Sequence, residues 1–322
     1  MTFRLVRLGL LALGAAAAAS AAPASAPIRI ASEKIADRVW AAPTPGGANV
    51  GWFVVGDAVV AVDSGAGPEV GRALLAEIQK TAGRKPRYLV VTHAHRDHGG
   101  GAAAFAAAGV QVVSAERAGP GVLAVLRGAP TAAGAGRASA VPVLLTVSER
   151  SLFVGETERA EIDYLGPGHT QGDLVVVLPD RGVLFSGDLA LNGVLPYLRS
   201  ADVDPPGWEK ILPRLAALPI QKMVPGHGAI GPREGIADTA AYVRRVAEIG
   251  QKIVLTNLPE TMWEAQARAP ENVIENVRPT PDHIANIKAV AQYFKARRDA
   301  VSPAPPAGTT PPGPPAPTPS SP

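Results

Sequence analysis

"THAHRDHGG", residues 92–100, puts three histidines and an aspartate within six positions of a 322-residue chain that holds six histidines in all. The stretch follows "RYLVV", a short apolar run that reads as a strand, and it ends in glycines that open a turn. Strand ends are where chemistry tends to be placed, because a rigid element aims the loop that follows it. His93 and His95 alternate and can point the same way, whereas Asp97 and His98, after the turn begins, can serve a neighbouring ion.

The same context recurs downstream. "YLGPGHTQGD" sets His169 in a glycine turn behind a strand, "VLFSGDLA" sets Asp188 behind an apolar strand, and "KMVPGHG" sets His227 behind another. Together these positions offer seven nitrogen and oxygen donors, enough for two metal sites of three or four ligands each. The chain has no cysteine, which removes disulfides, thiolate zinc sites, iron–sulfur clusters and cysteine nucleophiles and leaves His, Asp and Glu as the strong metal ligands. Zinc takes imidazole and carboxylate readily, and catalytic zinc keeps an open position for water. A lone loop histidine is usually a surface or hydrogen-bonded residue, so the joint pattern carries the reading. His283, in "TPDHIANIKAV", sits near an expected helix start, where capping or exposure is the common explanation.

Hydrophobic residues make up 47% and charged residues 18%, as in a soluble globular protein. Residues 1–26 read as a cleaved signal peptide: Arg4 and Arg7 precede an apolar run from Leu8 to Ala19, then small residues with A-x-A-like spacing. That reading makes the protein periplasmic or secreted, with no membrane association after cleavage. Residues 302–322, "SPAPPAGTTPPGPPAPTPSSP", are expected to be a Pro-rich disordered tail. With Arg4 and Arg7 set aside, basic and acidic residues nearly balance and no basic block stands out, so neither nucleic acid nor an anionic membrane is indicated as partner.

Along the rest of the chain, "IRIA", "RVWAA", "VGWFVV" and "AVVAVDSG" read as short strands, with a hairpin at "GD". An amphipathic helix is expected from Gly67 with Gly83 as its stop, then the strand before the histidines, a helix in "GGGAAAFAAAG", a strand in "VQVVSA" and a helix to about Arg127. "GAPTAAGAGRASAVP" reads as a loop, followed by three or four strands over 143–187, a helix in "DPPGWEKILPRLAAL", a short strand before His227, and helical patterns from Pro232 to Ala300. This order suggests two β-sheets packed together with helices outside; a doubly wound sheet fits poorly, because hairpin stretches interrupt the βα alternation.

Over roughly residues 28–230 the chain resembles the metallo-β-lactamase superfamily, on "AVVAVDSG", "THAHRDHGG", "GPGHTQGD", "FSGDLA" and "PGHG" in that order. The resemblance implies an αβ/βα four-layer sandwich, with a catalytic domain over 27–231 and a C-terminal helical extension over 232–301 packed on it. It implies that His93, His95 and His169 hold one zinc, that Asp97, His98 and His227 hold the other, and that Asp188 bridges them. Asp63 would stand behind the ligands and steer the metal loop. Cysteine at the second site marks one large β-lactamase group, and this chain has none; a second group lacks the bridging aspartate. Asp188 is instead similar to glyoxalase II, lactonases and other general hydrolases. Iron or manganese is an alternative metal. "FSGDLALNGVLPYLRSADVDPPGWEKILPRLAALPIQKMVPGHG" and the helical end are also similar to exported members found beside quinoprotein dehydrogenases.

Two zinc ions about 3.5–4 Å apart can share one hydroxide and keep it ionised near neutral pH. The expectation is therefore an exported hydrolase that cleaves an ester, thioester or lactone-type carbonyl of a small molecule, with Asp97 orienting the nucleophile while it ligates. Tyr197 and Arg199, between the fourth and fifth motifs, would be placed to touch substrate. The rivals are β-lactam hydrolysis, an iron-dependent persulfide dioxygenase and a non-catalytic zinc-binding protein.

Overall fold

The computed structural model describes residues 27–127 and 144–301, apart from 273, 275, 276 and 279. The expected signal peptide, the 128–142 loop and the Pro-rich tail lie outside the described residues.

The chain runs β1 (Glu33–Ala36), β2 (Val39–Pro43), β3 (Asn49–Val55), β4 (Ala58–Val62), α1 (Pro68–Ala82), β5 (Tyr88–Val90), α2 (Arg96–Gly99), α3 (Ala102–Ala107), β6 (Gln111–Ala115), α4 (Gly119–Arg127) and β7 (Leu144–Val147). It continues through β8 (Arg150–Val154), β9 (Arg159–Tyr164), β10 (Leu174–Leu178), β11 (Val183–Gly187), α5 (Pro205–Ala216), β12 (Lys222–Pro225), β13 (Gly231–Pro232), α6 (Gly235–Leu255), α7 (Trp263–Ala267) and α8 (Pro281–Val301).

The strands form two mixed sheets, β1 to β7 in sequence order and β13-β12-β11-β10-β9-β8. In the first, β1–β4 form an antiparallel meander, and Gly56, at φ 56°, turns the β3–β4 hairpin where a side chain would be strained. From β4 onward the pairing is parallel, because helices fill each described return crossing from β4 to β6. The second sheet is antiparallel from β8 to β11, then parallel to β12 after the α5 crossover.

Side-chain alternation makes the layers. In "LVVVL" of β10, Leu174, Val176 and Leu178 face the other sheet, where they meet Phe53, Val60 and Val113; Val175 and Val177 face the helices, where they meet Trp208 and Val243. On the far side of the first sheet, Trp52, Leu89 and Val112 pack under Leu74, Ile78 and Phe105 of α1 and α3. Three apolar layers thus separate helix, sheet, sheet and helix, as the motif order implied. α6 packs on both α5 and α8 and completes the outer layer over the second sheet.

Several local readings are corrected. Five strands, not three or four, occupy 144–187; β8, exposed on alternate residues, is an edge strand whose weak apolar content hid it. "IRIA" forms no strand, the first beginning at Glu33, and Arg96–Gly99 is a helical turn rather than part of a loop. None of the described helices is long and apolar enough to cross a membrane.

Candidate metal centre

The parallel pairs β4/β5 and β11/β12 end on one rim, and the donor-bearing loops leave from it. Asp63 follows β4, His93 to His98 follow β5, His169 lies between β9 and β10, Asp188 follows β11 and His227 follows β12. Two clusters result: His93, His95, His169 and Asp188 form one, and Asp97, His98 and His227 the other, the donor atoms of each lying within 4.8 Å of one another. The resemblance implied the same two sets of three, with Asp188 between them; in the structure Asp188 groups with the first set.

In the first cluster His95 Nδ1 stands 3.1 Å from His93 Nε2 and 3.0 Å from His169 Nε2. In the second, His98 Nε2 stands 3.3 Å from His227 Nε2, and Asp97 Oδ2 lies 3.0 Å from the same His227 nitrogen. Asp188 reaches both clusters, with Oδ2 3.4 Å from His169 Nε2 and Oδ1 3.4 Å from His98 Nε2.

Which inward nitrogens carry protons follows from their outer partners. His169 Nδ1 donates to the Tyr197 carbonyl at 3.2 Å and His227 Nδ1 to the Gly47 carbonyl at 3.1 Å, since a carbonyl can only accept. His98 Nδ1 donates to Asp63 Oδ2 at 2.8 Å. The Thr92 hydroxyl gives its one proton to Asp63 Oδ2 at 2.8 Å, so toward His93 Nδ1, 3.1 Å away, it can only accept. In their neutral forms these four rings therefore turn bare lone pairs inward. His95 is backed by Ser200, whose Oγ lies 3.1 Å from Nε2.

Lone pairs brought this close repel unless a cation stands between them. Imidazole nitrogens about 2.0–2.1 Å from one tetrahedral zinc would lie roughly 3.3–3.4 Å apart, close to the spacings seen here. Asp188 Oδ1 is buried with no hydrogen-bond partner among the described residues, a costly arrangement for a carboxylate that nothing neutralises. A Cβ at Gly226 would overlap that same oxygen, so the backbone is kept bare where the carboxylate must sit. On these grounds the residues present fit a pair of divalent cations.

Electrostatics agree. Burial, then the neighbouring His98, holds His93 well below the usual histidine range, and burial brings His169 down to about 4. Burial works against a charge on His98, yet the Asp188 and Asp63 carboxylates draw it well above that range. His227 is raised by its hydrogen bond to Asp97. Burial opposes ionisation of Asp97, but the His227 hydrogen bond and His98 hold its carboxyl below the ordinary range; against burial, His98 likewise holds Asp188 well below it. The centre thus favours neutral rings on one side and positive charge between Asp63, Asp97 and Asp188 on the other.

Asp63 itself sits at φ 60°, accepts from the Thr92 amide at 2.8 Å, and so ties the ends of β4 and β5 together. Tyr197 and Arg199 both line a cleft of about 820 Å³ that opens on Asp97, Asp188 and His227, as does an apolar wall of Leu191, Val194 and Leu195. Arg199 also lies over the Tyr197 ring, 4.6 Å from its centroid, and pairs with Asp282 at 2.7 Å. His283 is neither exposed nor a cap: it is buried, with Nδ1 3.1 Å from the Tyr242 hydroxyl. Sequence reasoning missed Thr92, Ser200 and Trp208, whose indole packs edge-on against His169 at 5.5 Å. Thr92, adjoining the histidine run, was the one a search for partners could have found.

Residues 43–227 match the Metallo-beta-lactamase superfamily profile. The chain belongs to that superfamily, whose members are mostly metal-dependent hydrolases acting on small molecules. It is 29% identical over 180 residues to a Metallo-beta-lactamase type 2 of Bacillus sp. (strain 170), covering 54% of this chain and 64% of that one. It is 28% identical over 175 residues to the human acyl-coenzyme A thioesterase MBLAC2, covering 47% and 59%. Each of these curated relatives is thus matched over less than two thirds of its own length. A solved metallo-beta-lactamase from Pontibacter korlensis superposes with a TM-score of 0.55 at 26% identity, over 67% of this chain and 99% of that one.

Proposed function

We propose that the protein is an exported, dinuclear-zinc hydrolase of an ester, thioester or lactone-type carbonyl. The observation that carries the reading is the gathering of five histidine nitrogens and two carboxylates into two clusters joined by Asp188, whose buried Oδ1 has no hydrogen-bond partner among the described residues. His93, His95 and His169 would hold one ion and Asp97, His98 and His227 the other, with Asp188 between them. Bound there, the zinc pair would supply a Lewis acid for the carbonyl oxygen and lower the pKa of water toward neutrality. Asp97, ionised at neutral pH and facing the cleft, accepts a hydrogen bond from the attacking water and orients it. Leu191, Val194, Leu195 and Tyr197 take the apolar part of the substrate and keep bulk water from it.

Export to the periplasm or medium rests on the Arg-led apolar run of residues 1–26; a mature N-terminus well beyond residue 20 in secreted material, read by mass spectrometry, tests it. β-Lactam hydrolysis is the second reading, favoured by the names of the relatives. The assay for both is purified protein, with metal counted on the same sample, against a thioester, a lactone, a phosphodiester and a cephalosporin. Turnover of the thioester or lactone with two zinc ions per chain is expected. Cephalosporin alone would favour the second reading, and a stable single iron that consumes persulfide would replace both. Folded, zinc-loaded protein inert to the panel would leave metal binding without hydrolysis.

A further inference from the structure

The stretch from Gly193 to Arg199 belongs to no helix or strand, and no backbone hydrogen bond among the described residues holds it to itself. Yet the Tyr197 carbonyl orients His169, and Ser200 backs His95. What fixes this stretch comes from α8. Asn286 straddles Tyr197: its Nδ2 donates to the Pro196 carbonyl at 2.8 Å, and its Oδ1 accepts from the Leu198 amide at 3.2 Å. The second Nδ2 proton goes to the Tyr242 hydroxyl at 2.9 Å, and that hydroxyl is hydrogen-bonded in turn to His283 Nδ1 at 3.1 Å. Asn286, Tyr242, His283 and Leu198 are all buried. Both Asn286 protons and its oxygen are used, so no other side-chain chemistry at that position satisfies the same set.

We propose that Asn286, backed by Tyr242 and His283, is a positioning residue for the metal centre: it sets the Tyr197 carbonyl and, through it, the His169 ring. The inference rests on the metal-binding reading above. It makes the C-terminal helices, which lie beyond the family match at residue 227, a working part of the site. Partners of metal-bound histidines are typically worth about 10–100-fold in metal affinity. Asn286 acts one step further out, so its loss should fall at the lower end, roughly tenfold.

Asn286→Leu removes the three bonds at similar volume, and Tyr242→Phe removes one while keeping the ring. Val290→Ala, in the same helix and apolar cluster but with a side chain that cannot hydrogen-bond to the stretch, serves as the control for plain loss of stability. Full-length proteins would be loaded with cobalt, with affinity read by chelator competition and ligand geometry by the visible spectrum, alongside unfolding of the metal-free forms. Asn286→Leu should weaken the tighter cobalt roughly tenfold and alter its bands, Tyr242→Phe should do the same to a smaller extent and holds if Asn286→Leu fails to fold, and Val290→Ala should lower the melting temperature alone. Wild-type affinity and spectrum in both folded polar variants, or an equal loss in Val290→Ala, would overturn the positioning role. Failure of the wild-type chain to bind cobalt would overturn the metal reading and this one with it.

Discussion

Asp63→Asn asks whether proton positions, and not just donor types, make the centre. The asparagine keeps the volume and tolerates φ 60°, so backbone strain is not the variable. Asp63 accepts three hydrogen bonds, from the Thr92 amide, the Thr92 hydroxyl and His98 Nδ1. An amide can meet them in two ways. With its oxygen toward Thr92 Oγ1 and His98, its NH2 opposes the Thr92 amide and leaves a buried donor unpaired, at a cost of about 1–3 kcal/mol. For a domain of this size that corresponds to roughly 2–4 °C of melting temperature per kcal/mol. With its oxygen toward the Thr92 amide, its NH2 meets His98 Nδ1, which must then accept and carry its proton on Nε2, inside the second cluster. The freed Thr92 hydroxyl proton can turn to His93 Nδ1 and reverse that ring as well. This second arrangement spares stability but should weaken metal binding about 10–100-fold. The assay is chelator competition for zinc, with urea unfolding of the metal-free protein on the same preparation. A variant that keeps both wild-type stability and wild-type affinity for both ions would refute the tautomer argument.

Asp97→Asn should lower turnover of the active panel substrate by about 10²–10⁴-fold with a modest change in melting temperature; wild-type turnover would sink the role given to Asp97. Gly226→Ala should displace Asp188, and elemental analysis of zinc-reconstituted protein should then find fewer than the two ions per chain expected of the wild type. In the metal-free protein His169, at about 4 when folded against 6.5 when free, contributes stability that is complete above pH 6.5 and lost as pH falls toward 4, because only the unfolded chain takes up the proton. Urea titrations should therefore show a shallower acid loss in His169→Gln over that window, and an identical pH slope would count against the burial argument.

The candidate donors could be picked out because each lies soon after a strand, in a glycine-rich loop or, for Asp97 and His98, in the helical turn that follows it, a context that sequence carries locally. The layers were legible from the order of elements and the family motifs, and the burial of runs such as "LVVVL" on both faces agrees with them. β8 was not, because "RSLFV" at a sheet edge leaves alternate residues exposed and offers little apolar content. His283 was misread from its place near the start of α8. The better cue was its spacing: His283, Asn286, Ile287, Val290 and Ala291 fall on one buried face. A polar residue on that apolar face must find a buried partner, which is the relay to Tyr242.

What stayed illegible is what aims the donors. The partner of His227 is the carbonyl of Gly47, 180 residues away, and that of His169 is the carbonyl of Tyr197. A backbone carbonyl leaves no mark in residue type, so no motif announces it. The two kinds of partner also differ in what substitution can do to them. Asp63 and Thr92 act through their side chains and are lost when those change. The carbonyls of Gly47 and Tyr197 survive any replacement that leaves the loop in place, and the Tyr197 ring, turned to the cleft, is free to vary with substrate while its carbonyl keeps His169 in register. The requirement for a defined side chain passes instead to whatever fixes the loop. For Tyr197 that is Asn286, a residue that touches no donor and lies 117 positions beyond the histidine it serves.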